Sequence, residues 1–240
     1  MKVAFVVSCP TFGGQVKTVN DAAARATPGV RDIVRYDGGV AVIGDHYWAA
    51  KTGAGVLEIE WDHGAHADFS SVDLVKSMDH ASTTAPSIVA RQVGDLSHGG
   101  HKIDAIYQLP MLAHAPMEPL NAVVHVRPDA CEIWVGTQVP TRCVDTASKI
   151  TGLSADKIIV HNQYLGGGFG RRLEIDSVAM AVQIAKAVPY PVKMVWSREH
   201  DIRHDVPRPS YYDRIAAVVD GDGYPPVSYT HLTLPTIYSV

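Results

Sequence analysis

Apolar positions in this chain fall into short runs punctuated by glycine, proline and charge, and the period of each run predicts an element. "KVAFVVS" near the start reads as a strand, and "DAAARATPGV" as a short helix stopped near Pro28 and Gly29. "RDIVRYDGGVAVIGD" carries apolar runs on both sides of Asp37-Gly38-Gly39, a hairpin signal. "HYWAAKTGAG" reads as a helix, and "VLEIEW" alternates as a half-buried strand does. From His63 to about residue 102 the composition turns to Ser, Asp, Thr, Gly and His, a long connection in which "VDLVKSM" predicts one helix.

Strand patterns resume with "KIDAIYQLP", "AVVHVRP" and "CEIWVGT", the last two joined by a turn at Pro128-Asp129. "PTRCVDTASKITGL" places Pro140 in a first helical turn and Gly152 at a stop, with Val144, Ala147 and Ile150 apolar between them. "DKIIVHNQYL" is a strand. A glycine stretch follows, and then "LEIDSVAMAVQIAKAV", with Ile175, Val178, Ala179, Val182 and Ala185 on one helical face. "YPVKMVW" returns to strand, and "DGDG" at 220–223 reads as a hairpin turn. The pattern is a mixed α/β fold with two units, residues 1–62 and 103–225.

Composition narrows the function. The 240 residues can bury a real core, and a net charge of -4 argues against a nucleic-acid binder. No run of about eighteen apolar residues predicts a membrane span. Cys9, Cys131 and Cys143 are odd in number and widely spaced, which suits neither a disulfide framework nor a zinc site. His200 and His204 have zinc-ligand spacing in "HDIRH", but the glutamate that accompanies that spacing in metalloproteases is missing. His63, His66, His98 and His101 are expected on the surface.

Candidate chemistry concentrates in "HNQYLGGGFGRRLEID", residues 161–176. Gly166, Gly167, Gly168 and Gly170 suggest a backbone that bends sharply or approaches a ligand closely. A glycine loop feeding a helix presents N–H groups to an anion, and Arg171 or Arg172 could add a bidentate contact. The loop fits neither the nucleoside-triphosphate pattern, which ends in Gly-Lys-Ser/Thr, nor the dinucleotide fingerprint, whose third glycine is replaced by Arg171. Two other readings stay open: a phosphate- or nucleotide-binding module without redox chemistry, and a structural remnant whose glycines only make a packing turn.

"GGGFGRR" after "VHNQYL", with "GTQVPTRCVDTASKITGLSADKI" upstream and "PVKMVWSREHDIRHDVPRPSYYDRIA" downstream, resembles the molybdopterin-binding subunit of the xanthine dehydrogenase and aldehyde oxidase family. Within it the chain is similar to the isoquinoline 1-oxidoreductase beta subunit. The resemblance implies a hammerhead-like α/β domain over 1–62, a connection over 63–102 and the first part of a molybdopterin-binding domain over 103–225. Residues 226–240 depart from it and read as a foreign tail.

The same resemblance implies that Gln138 faces an oxo ligand of molybdenum, and that Gly166, Gly167, Gly168, Phe169 and Gly170 line the cofactor with Arg171 and Arg172 beside them. His114 and Glu118 in "HAPMEP" match a pocket wall, as substrate-pocket or structural residues. Glu174 stands one place beyond the family's other pocket glutamate. No protein side chain ligates the metal. The implied cofactor is molybdopterin, in its cytosine dinucleotide form, with molybdenum. The implied partner is a small [2Fe-2S] subunit, and the substrate an aldehyde or N-heterocycle oxidised with oxygen from water. The catalytic base glutamate is expected beyond this chain, which is therefore expected to be inactive alone. Location is expected to be periplasmic if an upstream twin-arginine signal exists, and cytoplasmic otherwise.

Overall fold

A computed structural model describes residues 1–86, 88, 96, 100–224 and the backbone of the strand at 227–233. Elements are numbered along the chain. The first stretch gives β1 (Lys2–Ser8), β2 (Gln15–Asn20), α1 (Ala22–Arg25), β3 (Val30–Tyr36), β4 (Gly39–Gly44), α2 (Tyr47–Ala54) and β5 (Glu58–Asp62). Then come α3 (Ser71–Thr84), β6 (His101–Leu109), β7 (Asn121–Val126), β8 (Cys131–Val135), α4 (Pro140–Thr151) and β9 (Ile158–Asn162). The last are α5 (Asp176–Lys186), β10 (Val192–Val195), α6 (Arg198–Arg203), β11 (Tyr211–Val219) and β12 (Val227–Thr233). The mixed α/β class and the local order strand, glycine loop, helix, strand are as the sequence predicts.

Two compact units form: Met1–Ala67 with Ala113–Val206, and Asp68–Leu112 with Pro207–Val240. These are not the units expected from the sequence. Residues 1–62 do not stand apart, because β1 pairs in parallel with β10 (Lys2 opposite Val192) and both lie in one sheet of order β3-β4-β1-β10-β7-β8-β9. Local periodicity carries no information about a pairing across so many residues.

Strand direction in this sheet decides where a site can form. β8 and β9 are parallel, and every other neighbouring pair except β1–β10 is antiparallel. Hence β1, β10, β8 and β9 all end at one edge of the sheet, and β7 begins there. In open α/β sheets, loops at the carboxyl ends of strands are where ligands bind. The loops after β8 and β9 leave this edge as neighbours.

Helices α4 and α5 cover this part of the sheet, and the core joins Val124, Ile133, Val182, Ile184 and Met194, all fully buried. Pro140 opens α4 and Gly152 closes it at φ 81°, as expected. On α5 the buried set is Val178, Ala181, Val182, Ile184 and Ala185, together with Ser177. Ala179, assigned to the core face from its spacing, is only half-buried. The helix packs against both α4 and the sheet, so its buried stripe is wider than one amphipathic face and shifted.

The second unit is an antiparallel sheet of order β12-β11-β6, with α3 held to β11 by the Tyr212 hydroxyl donating to Asp79 at 2.5 Å. Between α3, β6 and β11 lies an open groove of about 680 Å³ that includes Val72, Val75, Leu109, Met111 and Tyr211. The turn expected at "DGDG" is present: Asp220 Oδ1 accepts from the Asp222 and Tyr224 N–H groups at 3.0 and 2.9 Å. Strand β12 continues this hairpin into the stretch read as a foreign tail; Pro226 and residues 234–240 lie outside the described residues.

Candidate functional site

The glycine loop leaves β9 and is fastened at each step. Gln163 N–H donates to Val135 O at 2.9 Å and Thr137 N–H to Asn162 Oδ1 at 3.1 Å, which ties the two loops together at their start. Glu118 then clamps Gly166, accepting its N–H on Oε2 at 2.8 Å while donating its own N–H to Gly166 O at 3.0 Å. A Cβ on Gly166 would stand 2.4 Å from Glu118 Cβ, so only glycine fits. Gly167 and Gly170 both have φ near 102°, a region that other residues rarely enter.

Gln138 comes to this loop from the end of β8. Its N–H donates to Arg172 O at 3.1 Å, and a Cβ on Gly168 would stand 2.8 Å from Gln138 Oε1. Two motifs thirty residues apart therefore meet side chain to backbone. The Gln138 side chain is exposed and makes no hydrogen bond among the described residues. The N–H groups of Gly167, Gly168 and Gly170 likewise find no acceptor among them. Phe169 sits between these glycines at φ 55° with a 66% exposed ring. A non-glycine residue in the left-handed region, carrying an exposed aromatic ring, marks strain of the kind that clusters at binding sites. Ala115 (φ 42°), on the segment facing the loop, is the other such residue described.

The two arginines depart from the expected anion contact. Arg171 is 1% exposed and Arg172 2%. Arg171 forks onto Asp176 at 2.8 and 2.7 Å, and its Nε stands 2.5 Å from Asp205 Oδ1. That last approach lacks hydrogen-bond angles, which leaves both atoms unsatisfied in that sense, and it counts as an ion pair. Arg172 donates to Gly167 O at 2.8 Å, Gly136 O at 3.1 Å, Glu118 O at 3.1 Å and Glu118 Oε2 at 2.7 Å. Both guanidiniums thus brace the loop from behind. The carboxylates that draw them inward lie far apart in sequence, so no local pattern announces it. Nor does the loop feed a helix directly: a 3-10 turn at Arg171–Leu173 intervenes before α5.

Glu118 and His114 also take their places here. Burial pushes the Glu118 carboxyl up, but hydrogen bonds from Asn121 and Gly166 N–H and the Arg172 charge outweigh it and hold the group below the usual range. Its oxygens are spent on Asn121, Gly166 and Arg172, which makes it an anchor of the loop. His114 donates its N–H to Asp205 Oδ2 at 2.5 Å and sets Nδ1 3.1 Å from the same oxygen. Glu174 is half-buried beside the 3-10 turn, where its N–H donates to Arg171 O at 3.2 Å. Asp176, Arg198, Asp201 and Asp205 carry no local motif that marks them as anchors; the density of charge in "SREHDIRHD" is the available signal for the last three.

The histidine pair of α6 has a structural use. The His200 and His204 rings stack at 4.1 Å; His200 Nε2 lies 3.3 Å from Ser8 Oγ and His204 Nε2 3.2 Å from Cys9 O. Burial, reinforced by the neighbouring His204, pushes His200 down from the ordinary histidine value to about 3. The unfolded chain then binds the extra proton, so this contribution is full above about pH 6.5 and is lost as pH falls toward 3. Thermal melts between pH 7.5 and 5 should fall with acidity by up to about 1.4 kcal/mol per pH unit from this one group. His200→Phe, which keeps a ring beside Trp196, should flatten the slope; an unchanged slope would assign it to other groups. His63, His66 and His101 are exposed as expected, while His98 lies outside the described residues. The three cysteines are free and buried, and no cluster of metal-ligating residues occurs among the described residues.

Residues 80–225 match the family model described as the molybdopterin cofactor-binding domain. The chain is 33% identical over 238 residues to the isoquinoline 1-oxidoreductase subunit beta of Brevundimonas diminuta, covering 91% of this chain and 30% of that protein. It is 25% identical over 187 residues to the aldehyde oxidoreductase molybdenum-binding subunit of Escherichia coli O157:H7, covering 76% of this chain and 25% of that one. Among solved structures, quinoline 2-oxidoreductase from Pseudomonas putida 86 shares the fold with a TM-score of 0.67 at 16% identity, over 93% of this chain and 34% of that one. The chain thus spans about 30% or less of the length of these curated relatives.

Proposed function

Because this chain belongs to the molybdopterin cofactor-binding domain family, we propose that the glycine loop and Gln138 form part of the cradle for a molybdenum cofactor in an oxidoreductase subunit. The observation that carries the proposal is the convergence at Gly168. An exposed amide and three N–H groups without acceptors among the described residues meet where the missing Cβ of Gly168 lets the Gln138 side chain come close to the loop. These residues fit a ligand rich in oxygen and nitrogen acceptors. Gly167, Gly168 and Gly170 would hold it by backbone N–H, Gln138 by its amide, and the Phe169 ring would lie at its side. Arg171, Arg172 and Glu118 serve by keeping the backbone in shape.

When bound, the cofactor supplies two-electron oxidation of an electron-poor carbon, and this chain's residues orient it and donate hydrogen bonds. We assign the substrate as an aldehyde or N-heterocycle, the oxygen source as water, the cofactor as the cytosine dinucleotide form and the electron acceptor as a [2Fe-2S] partner. The names of the similar proteins, which include an aldehyde oxidoreductase and an isoquinoline oxidoreductase, support that substrate class. A phosphate-binding module is the less favoured reading. The arginines that would strengthen an anion contact are buried and engaged, and the family matched is a molybdopterin cofactor-binding domain.

Gln138→Ala tests the assignment in a full-length protein carrying these residues. Cofactor content should stay near that of the parent, while turnover falls by about 100- to 1,000-fold, the usual effect of removing one donor aimed at developing charge. Activity within a few-fold of the parent would make Gln138 a bystander.

A further inference from the structure

The segment 114–120 is gripped between α6 and the glycine loop. From the α6 side, Arg198 donates to Pro116 O at 2.6 Å and Met117 O at 2.8 Å, and Asp201 Oδ1 accepts from Leu120 N–H at 3.2 Å. From the loop side come Glu118 with Gly166 and Arg172, described above. Asp205, 3% exposed, is the group among these that reaches both sides of the cradle. Its Oδ2 takes the backbone N–H and Nδ1 of His114, and its Oδ1 pairs with Arg171, the residue directly after the loop.

This geometry fixes the His114 ring. A carboxylate accepts and cannot donate, so the Nδ1 atom facing Asp205 carries the proton and Nε2 of the neutral ring is an acceptor. Nε2 has no hydrogen-bond partner among the described residues and is not one of their buried orphan atoms, so it stays open. It lies 3.4 Å from where a Cβ on Gly170 would be. Gly167, Gly168 and Gly170 bring N–H donors to the cradle, and Gln138 Oε1 is an acceptor beside Gly168.

We propose that Asp205 is a positioning residue that holds His114 in the Nδ1–H form, so that Nε2 accepts a hydrogen bond from an N–H group of the bound pterin beside Gly170. This rests on reading the loop as a molybdopterin cradle. A pterin carries amino and ring N–H donors as well as acceptors, and an acceptor at Nε2 beside Gly170 gives one of those donors a partner that the loop N–H groups cannot supply. Loss of one such hydrogen bond should lower cofactor affinity by about tenfold.

The test combines a spectroscopic and a binding readout. Nitrogen-15 correlation spectra of the 240-residue chain should show His114 protonated at Nδ1, moving toward the Nε2–H form in Asp205→Asn. In the full-length protein, cofactor per folded chain at limiting supply should fall about tenfold in His114→Ala and in Asp205→Asn, and no further in the double variant. His114→Gln, whose Oε1 can replace Nε2 as acceptor, should keep most of it. The His114 variants leave the buried charge pair intact and so remain informative if Asp205→Asn fails to fold. A parent chain with His114 protonated at Nε2, or a His114→Ala protein that retains full cofactor, overturns the inference. A parent that binds no pterin instead overturns the cradle reading, and the spectra alone then decide what Asp205 does.

Discussion

Gly168→Val is expected to give a folded protein without its cofactor. A Cβ at this position meets only the end of the Gln138 side chain, at 2.8 Å from Oε1, and that amide is exposed and able to swing aside. The positive φ values fall at Gly167, Phe169 and Gly170, so the Gly168 backbone tolerates a side chain. The branched side chain would instead occupy the space between the amide and the loop, where the ligand is assigned. Molybdenum per folded chain, measured with circular dichroism on the same sample, checks both halves of this expectation. A folded variant with the parent's metal content would remove Gly168 from the cradle.

Arg171→Met should have the largest effect on stability. It removes the cation that Asp176 and Asp205 share; the Arg171 side chain is 1% exposed and Asp205 3%, so that this pair is buried, while Asp176 is 35% exposed. Burial alone would lower the guanidinium's proton affinity, but Asp176 and Asp205 more than restore it, so the charge is held where it lies. Removing one partner of a buried pair costs about 3–5 kcal/mol, because the other charge is left without compensation. For a protein of this size that corresponds to a Tm lower by roughly 6–20 °C. Arg31→Met is the control: Arg31 also forks onto a carboxylate, Asp45, but its side chain is 53% exposed. Surface pairs contribute about 0–1 kcal/mol, so Tm should barely move. Equal losses in the two variants would mean that burial does not set the strength of the Arg171 network.

The parts of the fold legible in sequence are those encoded within a few residues. The hairpin at Asp37-Gly38, the Pro140 start and Gly152 stop of α4, and the strand before the glycine loop follow from local backbone preferences. What joins distant residues was not legible. The parallel pairing of β1 with β10 merges two expected units, and no run of alternating residues can report it. The same limit hid the fate of the arginines. "GRR" beside glycines reads as a surface anion clamp until Asp205, Asp176 and Glu118 are placed behind it. The meeting of Gln138 with Gly168 was expected only from family resemblance, and the sheet supplies its physical cause: β8 and β9 run parallel, so the loops that follow them must leave together.

The claim on which the rest depends is that this chain helps to hold molybdopterin. The most direct measurement is joint metal and pterin analysis of the folded full-length protein, purified from cells that make the cofactor. Near one molybdenum and one pterin per chain is predicted, both lost in Gly168→Val. A folded protein that carries neither, or that binds nucleotide or phosphate without pterin, would contradict it.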